Sequence, residues 1–417
     1  MIAYLRIAIL AGAASFGSQA MAQDLEILHW WTSGGEAKSM EVLKKMYREK
    51  SNAHLKESNI RGGGGFNAMK ALKSRAASGT PPAIVQMKGP EIQEWGQQGF
   101  LTSLNEVAKE EKWEQKVPDV IASYMKHKNN WVAVPVNVHR VNWLWYNKEL
   151  FAKYKATPPK TLDELFALAD KMKAKGDLPF AHGGQPWQDA TVFEAIFLAT
   201  AGPELHKRLF VEQDEKALDD PRVKTVFENF RRYVSYLDSN RAGLDWDKAT
   251  EMVISKRAAM QIMGDWAKGE FLKAHAVPDK NFGCVAVPGT DGLFSFNVDS
   301  FVFFETKSAT SKKAQNQFAS IVMSEPFQIE FNRNKGSIPA VLDVPLQDFD
   351  SCAKLSKEDF VKASKTGGLL PSYSHQMALN VDMINSLAEV VSVFAQSQMT
   401  AEEGVRNFKK VFKGNKI

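Results

Sequence analysis

Short β-type runs alternate with amphipathic helical stretches along most of this chain. That alternation restricts it to an α/β architecture with helices packed on sheets. Residues 25–29 are expected to form a strand, and residues 36–50 a helix with Met40, Leu43, Met46 and Tyr47 at helical spacing. Four glycines at 62–65 read as a loop ahead of a helix over 66–78. A strand over 83–87 follows Pro81-Pro82, and a helix opens with Pro90 in its first turn. Residues 131–138 read as a strand with one internal proline. A second unit begins near residue 140, with a strand over 141–146 and helices over 147–154 and 162–174. The later of these two helices is capped by Thr161, with Glu164 three residues on. A strand and turn at 180–184, a buried helix at 190–201, strands at 257–263, 282–287 and 296–304, and a helix at 309–323 follow. The C-terminal third reads as mainly helical, and no repeat period of a solenoid is visible.

Residues 1–22 read as a secretory signal peptide: Arg6, an apolar run over 7–16, and an Ala20-Met21-Ala22 cleavage site. The alternative, a membrane anchor, is disfavoured because the run falls short of the ~20 residues needed to span a bilayer. The rest of the chain is long enough for two domains, and a hydrophobic content of 44% supports sizeable cores. The net charge of +5 is dispersed, with no basic block suited to nucleic acid. Cys284 and Cys352 are the two cysteines of the chain. In an oxidising compartment such an isolated pair is expected to form a disulfide, the alternative being two buried thiols. Neither has the Cys-x-x-Cys spacing or nearby histidine of a metal site, and no metal is expected.

The chain carries ten tryptophans. Trp30, Trp31, Trp246 and Trp266 fall at expected strand ends or in loops, where a ring can stack on the C–H face of a sugar. Glu36, just beyond Trp30-Trp31, can accept hydrogen bonds from vicinal hydroxyls. Trp143 and Trp145 share an apolar strand and read as core, while Trp187 fits either role. Gln86, Lys88, Asp265, Asp299, Lys335 and His375 also lie at strand ends or turns. Any one alone reads more simply as solvated surface, but ligands of open α/β sheets bind outside the carboxyl ends of strands. The hydrolase and nucleotide motifs His-Glu-x-x-His, Gly-x-x-x-x-Gly-Lys-Ser/Thr and Gly-x-Ser-x-Gly are missing. A carboxylate pair for glycoside hydrolysis needs only nearness in space, which keeps a secreted carbohydrate-active enzyme open as an alternative.

Several segments in order resemble the extracellular solute-binding proteins of sugar ABC transporters, and more narrowly glucose/mannose-binding periplasmic proteins. They are 28–36 (LHWWTSGGE), 82–95 (PAIVQMKGPEIQEW), 134–140 (VPVNVHR), 263–266 (MGDW), the 334–339 turn (NKGSIP) and Ser374-His375. The resemblance implies a two-lobed periplasmic-binding-protein fold with a hinge and a ligand cleft between the lobes. It places 23–137 and 285–325 in an N-terminal lobe, and 138–284 and 326–417 in a C-terminal lobe. It makes Trp30, Trp31, Glu36, Gln86, Lys88, Trp246, Trp266, Asp299, Lys335 and His375 the ligand-binding set, with Trp31 the stacking partner. Lys88 stands where some relatives carry histidine.

The expected function is that of a periplasmic protein, not an enzyme. It would bind a monosaccharide, glucose ahead of mannose or galactose, and deliver it to the permease subunits of an ABC importer. It is expected to act as a monomer, with no cofactor and no nucleic-acid partner. A disaccharide or other polyol is the alternative ligand.

Overall fold

The computed structural model describes residues 23–414; the expected signal peptide lies outside the described residues. The strands that position the site are β1 (Leu25–His29), β2 (Leu55–Asn59), β3 (Ile84–Met87), β4 (Ala133–Pro135), β5 (His139–Arg140), β6 (Trp143–Asn147), β7 (Leu178–Phe180), β8 (Ala258–Ile262), β9 (Phe282–Ala286), β10 (Phe294–Asn297), β11 (Ser300–Phe303) and β12 (Leu369–Pro371). They form three sheets, in the orders β2-β1-β3-β11-β4, β9-β6-β8-β7 and β12-β10-β5. In the first sheet β1 runs parallel to β2 and β3, while β11 is antiparallel to β3 and β4.

Each large sheet has its own core. Leu25, Ile27, Val85, Val134 and Phe301 belong to one cluster with the helix Gly34–Ser51 and its Met40, Leu43 and Tyr47. Leu144, Phe180, Met260 and Ile262 belong to another with the helix Pro186–His206. That helix is buried nearly all round, which fits a segment covered on every side. It starts earlier than the expected 190, with Pro186 in its first turn, so Trp187 lies at a helix N-terminus rather than in a loop. Trp143 and Trp145 are fully buried, in line with their apolar strand.

The expected strand over 296–304 is two strands in different sheets. β10 pairs with β5 in the small sheet, and β11 enters the first sheet beside β3. The break at Val298-Asp299 is where the chain passes from the small sheet to the first, and it leaves Asp299 at the junction. Residues 136–142, through β5, lead from the first sheet by way of the small sheet to the second. Residues 285–286 pair with β6 in the second sheet. The helix Glu325–Lys335 also departs from the expected limits. Its Phe327 and Phe331, with Phe349 and Phe360 further on, join the first core and not the second. The chain crosses again near β12, after which Tyr373, Leu379 and the helices Val381–Gln396 and Ala401–Gly414 build the second core.

Cys284 on β9 is bonded to Cys352 on the helix Ser351–Thr366. This bond ties a helix whose Phe360 faces Phe294 of the small sheet to the edge of the second sheet. Among the described residues no helix is long and apolar enough to cross a membrane.

Candidate functional site

A cavity lined by both lobes opens between the two large sheets. One wall comes from the first lobe: the loop after β1 gives Trp30 to Ser33 and Glu36, and the residue after β3 is Lys88. Arg61, Gly62 and Gly64 follow β2, and Lys335 ends its helix. The other wall comes from the second lobe, with Gln185, Trp187, Asp245, Trp246, Trp266 and His375. His139, Asn297 and Asp299 come from the crossing segments.

The two adjacent tryptophans divide their tasks. Trp30 is half-buried, with Lys88 Nζ 5.1 Å from its ring centroid. Trp31 is 2% exposed and packs edge-on against Phe301 at 5.7 Å and against Phe331 at 5.3 Å. Trp31 is thus chiefly a core residue that borders the cavity, and Trp30 is the ring offered to it, the reverse of the sequence expectation. Gln86 does not reach the cavity: it is fully buried, and its Oε1 accepts from the Trp30 backbone N–H at 3.2 Å. It fixes the loop rather than a ligand.

Glu36 turns back on its own helix start. Its Oε2 accepts from the backbone N–H groups of Thr32 (3.1 Å) and Ser33 (3.2 Å), and its Oε1 takes Lys335 Nζ at 3.3 Å. A carboxylate at a helix N-terminus also meets the positive end of the helix dipole. Lys335 Nζ lies 5.7 Å from the Trp31 ring centroid. Lys88 Nζ donates to the Gly64 carbonyl at 3.2 Å; burial pushes its ammonium down to about 8, against the pull of Asp299.

His139 joins the two lobes. Its Nδ1 meets Asp265 Oδ1, beyond β8, and its Nε2 meets Asp299 Oδ2 at 3.0 Å, at the β10–β11 break. Burial alone would depress this imidazole, but the two carboxylates hold it above its ordinary value. Asp299 is held well below the usual carboxylate range, because His139, Lys335 and Lys88 outweigh its burial. Trp266 packs edge-on to His139 at 5.3 Å and tilted against His375 at 4.8 Å. Across the mouth, Arg61 donates to Asp247 Oδ1 at 3.2 Å and lies 2.8 Å from Asp245 Oδ2, while Gln185 donates to Asp245 Oδ1 at 2.8 Å.

The cavity therefore gathers Trp30, Trp31, Glu36, Lys88, Trp246, Trp266, Asp299, Lys335 and His375 from the expected set and leaves Gln86 behind it. It adds Trp187, which the sequence left open to either role, and Arg61, Gln185, His139, Asp245 and Asn297, to which sequence reasoning gave no ligand role. The four-glycine run was the available signal for Arg61 and its neighbours: all four have positive φ, from +60° to +111°. The cavity's carboxylates Glu36, Asp245 and Asp299 are each bonded to protein partners, an arrangement that fixes the shape of the cavity. Among the described residues no group of three or more His, Cys, Asp or Glu side chains could hold a metal ion.

Residues 31–302 match the model of the bacterial extracellular solute-binding protein family. A probable sugar-binding periplasmic protein of Rhizobium meliloti (strain 1021) is 43% identical over 384 residues, covering 92% of this chain and 92% of its own. A protein of the same description from Brucella melitensis biotype 1 is 42% identical over 399 residues, covering 96% of this chain and 94% of its own. Among solved structures, a chitin oligosaccharide binding protein shares the two-lobed fold, with a TM-score of 0.80 over 94% of this chain and 98% of that one at 24% identity. With its interlobe cavity and these matches, the chain belongs to the bacterial extracellular solute-binding protein family, as a binding protein and not an enzyme.

Proposed function

We propose that this chain is the periplasmic sugar-binding component of an ABC importer and that its ligand is a monosaccharide, glucose ahead of mannose or galactose. The observation that carries the reading is a cavity with indole rings on both walls and polar side chains between them. Trp30 faces it from the first lobe, and Trp187, Trp246 and Trp266 from the second. Sugar hydroxyls suit the polar side chains Lys88, Asp299, Lys335 and His375, while the rings take the C–H faces. The Arg61 bridge to Asp245 and Asp247 closes the mouth beside Trp246, which favours one pyranose ring over a chain. The solved neighbour's oligosaccharide belongs to that protein, and the fold it shares does not choose the ligand's length.

The same reading assigns 23–137 and about 298–366 to one lobe, and about 142–287 and 373–414 to the other, with the small sheet as hinge. Ligand draws the lobes together by hinge closure, and the permease subunits in the inner membrane read the closed monomer. Titration calorimetry with glucose, mannose, galactose and maltose tests it. A hexose binding with a Kd below about 100 μM, and more tightly than maltose, supports the proposal. Tighter binding of maltose overturns the monosaccharide assignment, and binding of none of the four overturns the sugar.

A further inference from the structure

His375 enters the cavity from the turn after β12, yet it is held by the second lobe's central helix, Pro186–His206. Thr191 Oγ1 lies 2.9 Å from His375 Nε2 and 2.8 Å from the carbonyl oxygen of Trp187, one turn earlier. A carbonyl oxygen only accepts, so the threonine hydroxyl proton points at Trp187, the back-bonding usual for a helical threonine. The hydroxyl oxygen is then left to accept, and the imidazole must donate from Nε2. The proton on one ring nitrogen is set by the bond that nitrogen makes.

One turn further along the same helix, Glu194 holds the turn that carries the ring. Its Oε2 accepts from Ser372 Oγ and Ser374 Oγ, both at 2.6 Å, and its Oε1 accepts from the Tyr373 backbone N–H at 3.0 Å. Ser372 Oγ, its own proton spent on Glu194, accepts from the His375 backbone N–H at 3.1 Å. Glu194 is 1% exposed, and this carboxylate has no route to a ligand. The other ring nitrogen, Nδ1, has no hydrogen-bond partner among the described residues and is not sealed off from the cavity.

We infer that Thr191 and Glu194 are positioning residues that lock His375 as its Nε2–H tautomer, so that Nδ1 accepts a hydrogen bond from a ligand hydroxyl. The inference rests on the reading that a sugar fills the cavity, and it assigns the direction of one hydrogen bond within it. Burial, reinforced by Lys88 and His139, keeps this imidazole well below its ordinary value, so the ring is neutral at neutral pH. Trp266 and Trp187, with centroids at 4.8 and 6.0 Å, confine the ring between them.

The test pairs ring-¹⁵N NMR of histidine-labelled full-length protein with calorimetry using D-glucose, D-mannose and D-galactose. The expected free-protein spectrum shows His375 protonated at Nε2 and bare at Nδ1. Thr191→Val should lose that tautomer and weaken sugar binding by about tenfold, and Thr191→Ser, which keeps the hydroxyl, should restore both. Thermal melts separate a local effect from failure to fold, and the wild-type spectrum with Thr191→Ser decides if Thr191→Val does not fold. An Nδ1–H tautomer in the wild type, or unchanged tautomer and affinity in Thr191→Val, overturns the inference. The expected tautomer with no sugar bound overturns the functional reading instead, and the assigned hydrogen bond falls with it.

Discussion

Arg61 and Asp245 meet at 2.8 Å across the mouth of the cavity, one from each lobe. The guanidinium is half exposed, so the pair is worth about 1 kcal/mol or less. Its place at the rim makes it a latch whose loss acts on ligand escape. Arg61→Ala should raise the ligand dissociation rate by about threefold to fivefold, with the melting temperature nearly unchanged. Stopped-flow tryptophan fluorescence at low and high salt checks this, and added salt should shrink the difference between wild type and variant.

Trp30 and Trp31 are neighbours in sequence with separable consequences. Trp30→Ala removes a half-buried ring facing the cavity and should weaken sugar binding by about tenfold while the fold survives. Trp31→Ala empties a site packed by Phe301 and Phe331 and should cost about 3–5 kcal/mol of stability. Denaturant unfolding and calorimetry on both variants give the split, and equal stability losses would contradict it.

What the sequence disclosed follows from how local each feature is. The helix after β1 was legible because Met40, Leu43 and Tyr47 repeat at helical spacing, and the same spacing buries them. The division of 296–304 was not, since Phe296 and Phe301 are equally apolar and the sheet change at Asp299 depends on distant partners. The home of Phe327 and Phe331 was hidden for the same reason: an amphipathic helix declares a buried face but not which sheet buries it. Within the site, aromatic and charged residues beside turns were conspicuous. Gln86 shared that pattern while facing inward. Arg61 and Asp245 looked like ordinary solvated charges, because only the fold brings residues 184 positions apart together.

His139 bonded to two carboxylates makes stability depend on pH in a defined direction. Its folded value lies above its unfolded value of about 6.5. The stabilisation is therefore fully present below about pH 6.5 and is lost as pH rises through the folded value. Lys88 works the other way, since its value of about 8 lies below the unfolded lysine value, so stability from it grows as pH rises above 8. The difference between wild type and His139→Gln isolates the histidine. In thermal melts from pH 6 to 9, the wild type's advantage should shrink steadily as pH rises. A constant difference would mean that folding leaves the His139 pKa unshifted.

Gly65 offers the sharpest test of how the glycine run serves the site. It has φ of +111°, and a Cβ built there would lie 3.1 Å from the Trp30 indole. Gly79 has φ of +71° and nothing within 4 Å of such a Cβ. Both substitutions to alanine place a side chain on backbone of positive φ, at about 1–2 kcal/mol. Only Gly65→Ala also displaces the ring that faces the ligand. The expected outcome is similar loss of stability in the two variants, with sugar affinity lowered by about fivefold or more in Gly65→Ala and unchanged in Gly79→Ala. Equal affinities would mean that Trp30 can yield without consequence and that the run serves only to turn the chain. Weaker binding in Gly65→Ala alone would tie its missing Cβ to the position of the indole.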